Sequence, residues 1–310
     1  MVSAAIADAD MESIVRTVTD EEVEHYIEYG WVMLRKLVDP AFAADLLKSA
    51  LDLGKAAGRE LVENQPALRG DEPFRSFMYS QRMVENATRL VNRKRLKGVD
   101  VPMRYREDFM IKKPAGQDDM PRPSTTSGYH PEYGTGFHQD SSEHGSDRVG
   151  ELQFWLALKE CTPEMGPMRF VNRSHREGPL GSVFNQDDDD LGGVRGHFGN
   201  GNLLDQYPRL PEVLGMSEPL ETHYMPGDAT VHHGYCVHGS INNSSDHDRW
   251  SYLFSYSPAD TRYWEGDCNN NQGHNRTRAT SERNPVVFYP PPLGKGIVAD
   301  VARREGEAKL

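Results

Sequence analysis

His138-Gln139-Asp140 places an imidazole and a carboxylate two residues apart. On extended backbone both project to one side while Gln139 points away, so the pair can grip a single metal ion. A second imidazole, His238, lies far downstream beside Ser240. His-x-Asp plus a distant His is the composition of the 2-His-1-carboxylate facial triad, in which three ligands occupy one face of an octahedral Fe(II). The other face stays open for a chelating cosubstrate and dioxygen. A His-Asp pair alone also occurs as an ordinary hydrogen-bonded couple, so its meaning depends on the rest of the chain. Arg249 supplies that context, eleven residues beyond His238 across the polar turn from Ile241 to Asp246. A hairpin there would set the guanidinium alongside the histidine strand, where its planar fork suits a dicarboxylate. Ser251, Leu253 and Ser255 would share the face of Arg249, with Trp250, Tyr252 and Phe254 packing on the opposite side.

Elements able to position these residues are legible on both sides of them. Thr19-Asp-Glu-Glu22 reads as a helix N-cap with a carboxylate three residues on, and Val23, Tyr26 and Ile27 carry the helix to Gly30. Trp31 to Val38 reads as a strand, and Asp39-Pro40 opens a helix running through Leu46, Leu47 and Leu51. Residues 70–100 are helical and basic, with Arg89, Arg93, Lys94 and Arg95 clustered; the pattern fits a solvated helix face. Strand-like runs then take over at Asp108–Lys112, Glu151–Leu158, Met168–Val171, Ala229–His233 and Trp250–Tyr256. Helices succeeded by many short strands predict a mainly β protein with flanking helices around a barrel or jelly roll.

Residues 178–225 read as an irregular inserted loop. Its Asp187 to Asp190 run lacks the interspersed ligands and turning glycine of a calcium loop and is expected to be solvated. The expected organisation is one large, catalytic-sized domain over 1–310. It has a flexible start (1–18), a helical flank (19–100), a β core (101–257) and a C-terminal extension (258–310). Residues 60–107, 178–225 and 258–290, with Tyr263 and Trp264, are the expected surroundings of the active-site mouth.

The excess of 47 Asp+Glu over 35 Lys+Arg gives a net charge of -12, which disfavours nucleic acid and anionic membranes as partners. The partner expected instead is a small molecule, with the protein a monomer or homodimer. Cys161, Cys236 and Cys268 form neither a disulfide framework nor a metal-ligand pattern, which suits a reducing, cytoplasmic setting. No signal peptide or transmembrane window is expected. Ala308-Lys309-Leu310 is similar to a peroxisomal address, meaningful only in a eukaryote.

Several stretches together resemble the phytanoyl-CoA dioxygenase family of Fe(II)/2-oxoglutarate oxygenases, over residues 19–257. They are Thr19-Asp-Glu-Glu-Val-Glu with Tyr29-Gly-Trp-Val-Met, Met110-Ile-Lys-Lys-Pro114, Phe137-His-Gln-Asp140, Trp155-Leu-Ala-Leu158, Gly166 to His175, and Pro226-Gly-Asp228 to Arg249. The resemblance implies a double-stranded β-helix (jelly roll, cupin-like) core. It implies Fe(II) held by His138, Asp140 and His238, with 2-oxoglutarate and O2 as cosubstrates. Arg249 would clamp the far carboxylate of 2-oxoglutarate and Ser240 would add a hydroxyl. Trp155 would line the cosubstrate pocket and Met110 would touch the cosubstrate, although ordinary core packing explains either residue as well. Retention of Asp140 resembles hydroxylating members rather than those that admit a halide.

His232 and His233 rival His238 as the distal ligand. Alternation turns His232 and Cys236 inward with His238 and His233 outward, and the spacing to Ser240 and Arg249 favours His238. His175 reads as structural; the chain departs from the family pattern at Asn172-Arg-Ser-His175 and after residue 257. The implied reaction is oxidative decarboxylation of 2-oxoglutarate to succinate and CO2, coupled to oxidation of an unactivated C–H bond of a small organic molecule. Two other classes fit a metal-bearing jelly roll: a non-oxidative binding protein, or a metal-dependent hydrolase or isomerase.

Overall fold

The computed structural model describes residues 6–60, 65–91, 103–117, 136–141, 150–180, 202–217 and 223–259, with backbone alone at 286–288 and 297–298. Arg93 to Arg95, Asp187 to Asp190, Tyr263, Trp264, Cys268 and the C-terminal tripeptide lie outside the described residues. The chain opens with helix α1 (Asp8–Ile14) and α2 (Asp20–Tyr29). α2 starts at a reciprocal capping box, in which Thr19 Oγ1 accepts from the Glu22 N–H at 3.2 Å and the Glu22 carboxylate accepts from the Thr19 N–H at 2.8 Å. It ends at Gly30, whose φ of +81° is left-handed. The His175 ring stands where a side chain at position 30 would be, so that a Cβ there would overlap its Nδ1.

Strand β1 (Trp31–Leu34) is shorter than the run to Val38 suggests. Asp228 ends it, accepting from the Lys36 N–H at 2.8 Å and from Arg35 at 2.7 Å, and Lys36 takes a positive φ of 48°. α3 (Pro40–Ala56) comes next, capped by the Asp39 carboxylate on the Ala41 N–H at 2.8 Å with proline in its first turn. α4 (Pro66–Arg69), ended by Gly70 in a left-handed conformation, precedes the stretch expected to be helical from residue 70, which carries α5 (Phe74–Met78) and α6 (Gln81–Val91) among its described residues.

The β elements are β2 (Met103–Lys113), β3 (Leu152–Ala157) and β4 (Met168–Phe170), then β5 (Ala229–His233), β6 (His238–Ser240) and β7 (Arg249–Pro258). Within the span 178–225, expected to be irregular, the described residues 202–217 are partly helical. They carry two short helices, α7 (Leu203–Gln206), capped by Asn202, and α8 (Leu210–Leu214). Beyond residue 257, β8 (Val286–Phe288) and β9 (Ile297–Val298) extend the sheet edge.

Seven strands form an antiparallel sheet in the order β1-β5-β3-β7-β2-β8-β9, and β4 pairs with β6 in a second, smaller sheet. Alternation along each strand of the large sheet separates two environments. Leu152, Phe154 and Leu156 of β3 and Trp250, Tyr252, Phe254 and Tyr256 of β7 join the helices in one buried cluster. Trp155 and Ala157 instead meet Met168 and Phe170 of the small sheet, with Leu253 packed against them. Mainly antiparallel sheet with helices outside it is the jelly-roll architecture the sequence implies. No helix among the described residues is long and apolar enough to cross a membrane.

One buried carboxylate sits on the helix side. Asp108 accepts from the hydroxyls of Tyr105 and Tyr252, the latter at 2.6 Å, and from the Ala67 N–H at 3.1 Å. Burial outweighs these bonds and pushes its acid up to about 6.

Candidate active site

His138 and His238 come together through a two-residue bridge: the His138 N–H donates to the His238 carbonyl at 2.9 Å and the reverse bond is 3.0 Å. His138 lies at this bridge rather than in a full strand, yet Asp140 still projects beside it. Ligand atoms of His138, Asp140 and His238 all lie within 4.8 Å of one another. Gln139 points elsewhere, as extended geometry requires. Its amide donates to the carbonyls of Gly178 at 2.9 Å and Tyr235 at 2.7 Å and accepts from the Leu180 N–H at 2.9 Å, tying the ligand segment to both neighbouring loops.

Whether these side chains suit a metal is decided by their second nitrogens. His138 Nδ1 lies 2.8 Å from the Gly136 carbonyl and His238 Nδ1 lies 2.9 Å from the Cys236 carbonyl. A carbonyl only accepts, so each Nδ1 carries the hydrogen and each Nε2 presents a lone pair. Those two Nε2 atoms lie 3.3 and 3.7 Å from Asp140 Oδ1. Burial alone would raise the Asp140 acid, but the positive charge that His238 and His138 carry when their Nε2 atoms are protonated, together with the bond from His232, holds it well below the usual carboxylate range; a metal ion at the same place would take over from those protons. Two bared imidazole nitrogens facing one carboxylate oxygen form a donor set fitted to a divalent transition metal.

His232 also lies inside, on β5, with Nε2 3.0 Å from Asp140 Oδ2. Burial, reinforced by His238, lowers its pKa to about 4. His233, next along the strand, turns to the other side, its ring 5.4 Å from that of His175. His175 Nε2 lies 3.2 Å from the Ile27 carbonyl, away from the cluster. Buried Cys236 lies beside Ser174, with sulfur and hydroxyl 3.8 Å apart.

The connection expected to form a hairpin from His238 to Arg249 crosses between the sheets instead. β6 pairs with β4, whereas β7 pairs with β2 and β3. Asn243 fixes the crossing, its amide donating to the carbonyls of Lys113 at 3.0 Å and His247 at 2.8 Å. Arg249 therefore arrives from the large sheet, buried, its guanidinium 5.3 Å from the centre of the Trp155 ring and bonded to the Gly166 carbonyl. Trp155 is fully buried and its Nε1 has no hydrogen-bond partner.

Met110 is not brought to this site. It pairs with Tyr252 and packs in the helix-side cluster, because alternation turns it away whenever its neighbours Ile111 and Phe109 face inward. The residue of β2 that does arrive is Lys113, which spacing in the sequence does not single out. It sits opposite Arg249 in the sheet register and is fully buried, and its Nζ donates to Ser240 Oγ at 2.8 Å and the Ile241 carbonyl at 2.7 Å. Its parity with Arg249 is the signal that would have found it, and that parity requires the β2–β7 register.

A family model described as "Phytanoyl-CoA dioxygenase (PhyH)" matches residues 26–251. The chain belongs to the phytanoyl-CoA dioxygenase family. Its members use Fe(II), 2-oxoglutarate and O2. Among solved structures, the α-ketoglutarate-dependent carbocyclase SnoK from nogalamycin biosynthesis superposes with a TM-score of 0.59 at 19% identity, covering 93% of this chain and 97% of that one. The epimerase SnoN from the same biosynthesis gives 0.57 at 20% identity, with coverages of 91% and 96%. EctD from S. alaskensis, solved with 2-oxoglutarate and 5-hydroxyectoine, gives 0.59 at 15% identity, with 92% of each chain covered. At such identities these likenesses show a shared fold. No curated protein sequence matches the chain.

Proposed function

We propose that this member of the family is an Fe(II)- and 2-oxoglutarate-dependent dioxygenase that oxidises an unactivated C–H bond of a small organic molecule. The observation carrying this reading is the donor set: two imidazoles whose backbone bonds bare their Nε2 atoms toward one carboxylate, with ligand atoms within 4.8 Å. His138, Asp140 and His238 would hold the iron by one face. Arg249 and Lys113 place two buried cations on adjacent strands, and Lys113 is bonded to Ser240, two residues beyond the metal histidine. Together they suit the far carboxylate of 2-oxoglutarate, with Trp155 covering the guanidinium. Bound iron would let O2 act as the oxidant, one oxygen atom going into succinate as 2-oxoglutarate loses CO2 and the other being available to oxidise the substrate.

The chain's own contribution is to fix these groups and keep water away from them. The backbone carbonyls of Gly136 and Cys236 lock the imidazole tautomers, and the buried sheet interior strengthens each charge contact. Asp140 supplies the single anionic ligand. Anaerobic addition of Fe(II) and 2-oxoglutarate, and then of oxygen, tests the reading. The parent protein should bind both and form succinate, whereas Asp140→Ala should lose more than about 100-fold in Fe(II) affinity. Absence of 2-oxoglutarate binding in the iron-loaded parent would overturn it, as would product formation under strict anaerobiosis. The first result points to a non-oxidative binding protein and the second to hydrolase or isomerase chemistry.

A further inference from the structure

The imidazole of His232 belongs to none of the roles above, yet it is buried against the metal ligands. Its ring centre is 4.0 Å from that of His238 and 5.4 Å from that of Phe170, and its Nε2 lies 3.0 Å from Asp140 Oδ2. The Asp140 oxygen facing His138 and His238 is the other one, Oδ1. An ionised carboxylate only accepts, so His232 must donate through Nε2. Its Nδ1 is buried with no hydrogen-bond partner, so a hydrogen there would be orphaned. The ring therefore carries its hydrogen on Nε2, the opposite arrangement to His138 and His238.

We infer that His232 is a positioning residue that holds Asp140 Oδ2 away from the metal, so that the carboxylate binds through Oδ1 alone. A carboxylate free to turn could grip the metal with both oxygens and fill a coordination position that the cosubstrate or dioxygen needs. The donated bond ties one oxygen to β5, on a strand held between β1 and β3. Two imidazoles, with carbonyls behind them, can thus present a lone pair on Nε2 to a metal, and a third, with none behind it and Asp140 Oδ2 before it, presents a hydrogen there. This inference extends the iron reading and assigns His232 no place in the coordination sphere.

Two measurements test it. Co(II) titration by its visible absorbance should show His232→Phe binding about 10- to 100-fold more weakly than the parent, the usual cost of losing a partner of a metal ligand. His232→Gln, which keeps an N–H donor at similar reach, should recover most of that loss. Parent-like Co(II) affinity in His232→Phe, or a His232→Gln as weak as His232→Phe, would overturn the inference. Should His232→Phe fail to fold, long-range 1H–15N NMR of the parent's histidines still decides: His232 should carry a hydrogen on Nε2 with and without Zn(II), whereas His138 and His238 should keep theirs on Nδ1 and carry none on Nε2 once Zn(II) is added. An Nδ1–H His232, or a His232 Nε2 that becomes metal-bound on adding Zn(II), would sink it. The tautomer is read without iron or 2-oxoglutarate, so failure to bind the cosubstrate would leave this result standing.

Discussion

The two faces of the seven-stranded sheet are built from alternate residues of the same strands, yet they do opposite work. On the helix side, Phe154, Tyr252, Phe254 and Tyr256 pack in a cluster whose buried carboxylate, Asp108, is bonded to two tyrosine hydroxyls and one backbone N–H. On the inner side stand Arg249, Lys113, Ser251, Trp155, Thr230 and His232, and the buried Trp155 Nε1, Thr230 Oγ1 and His232 Nδ1 lack hydrogen-bond partners. Buried polar atoms without partners are rare in stable cores and are tolerated where a ligand or ordered water completes them. On the proposed reading one face carries the stability and the other the chemistry, a single peptide step apart.

If that division holds, a substitution should move stability or ligand binding, seldom both. Phe254→Ala, beneath the helices, should cost about 3–5 kcal/mol in denaturant unfolding while leaving 2-oxoglutarate affinity of the folded protein unchanged. Loss of 2-oxoglutarate binding in the folded variant would break the division.

Asp108 gives the helix face its own pH signature. Its acid stands at about 6 in the fold, against 3.8 as the ordinary value. The folded state therefore holds the proton more tightly. The stability this confers is complete below about pH 4 and is lost as pH rises to about 6, on the order of 3 kcal/mol. Unfolding of Asp108→Asn should lack that fall. Two proteins with parallel profiles between pH 4 and 6 would contradict it.

The inner face should respond in the other manner. Arg249→Ala should weaken 2-oxoglutarate binding about 10- to 100-fold, the worth of a charged hydrogen bond, with Fe(II) affinity retained. Equal losses for metal and cosubstrate would show that the arginine supports the whole cavity instead. The smallest effect is expected at Met110: Met110→Leu should cost less than about 1.5 kcal/mol and leave 2-oxoglutarate affinity untouched, because its side chain faces the helices.

Legibility in the sequence tracks how local each cue is. His138 and Asp140 are two residues apart, and β7 announces its own phase by alternating Ser251, Leu253 and Ser255 with Trp250, Tyr252 and Phe254. The capping box at Thr19 and the Asp39-Pro40 helix start are equally local. Strand β2 gives no such cue. Phe109-Met110-Ile111 is apolar without a break, the mark of a strand covered on both sides, so its phase is fixed only by pairing Met110 with Tyr252 and Lys113 with Arg249. A register shift between Tyr105 and Glu107 further hides the phase from anyone counting from the strand's start. Lys113 and Ser240 are 127 residues apart in the chain, and His232 and Asp140 are 92 apart, so neither contact exists until the sheets form. The crossing between β6 and β7 is hidden for a related reason: a short polar turn looks the same whether it joins strands of one sheet or of two.

Gly30 shows how far the demands of such a site reach. Its φ of +81° suits glycine, the His175 ring occupies the space a methyl would need, and its carbonyl accepts from the His233 N–H at 2.8 Å, next to His232. Every other amino acid at position 30 must strain the backbone and displace that ring. In a saturation library selected for activity, this position should be as depleted of variants as the histidines themselves, although it has no reacting group to offer.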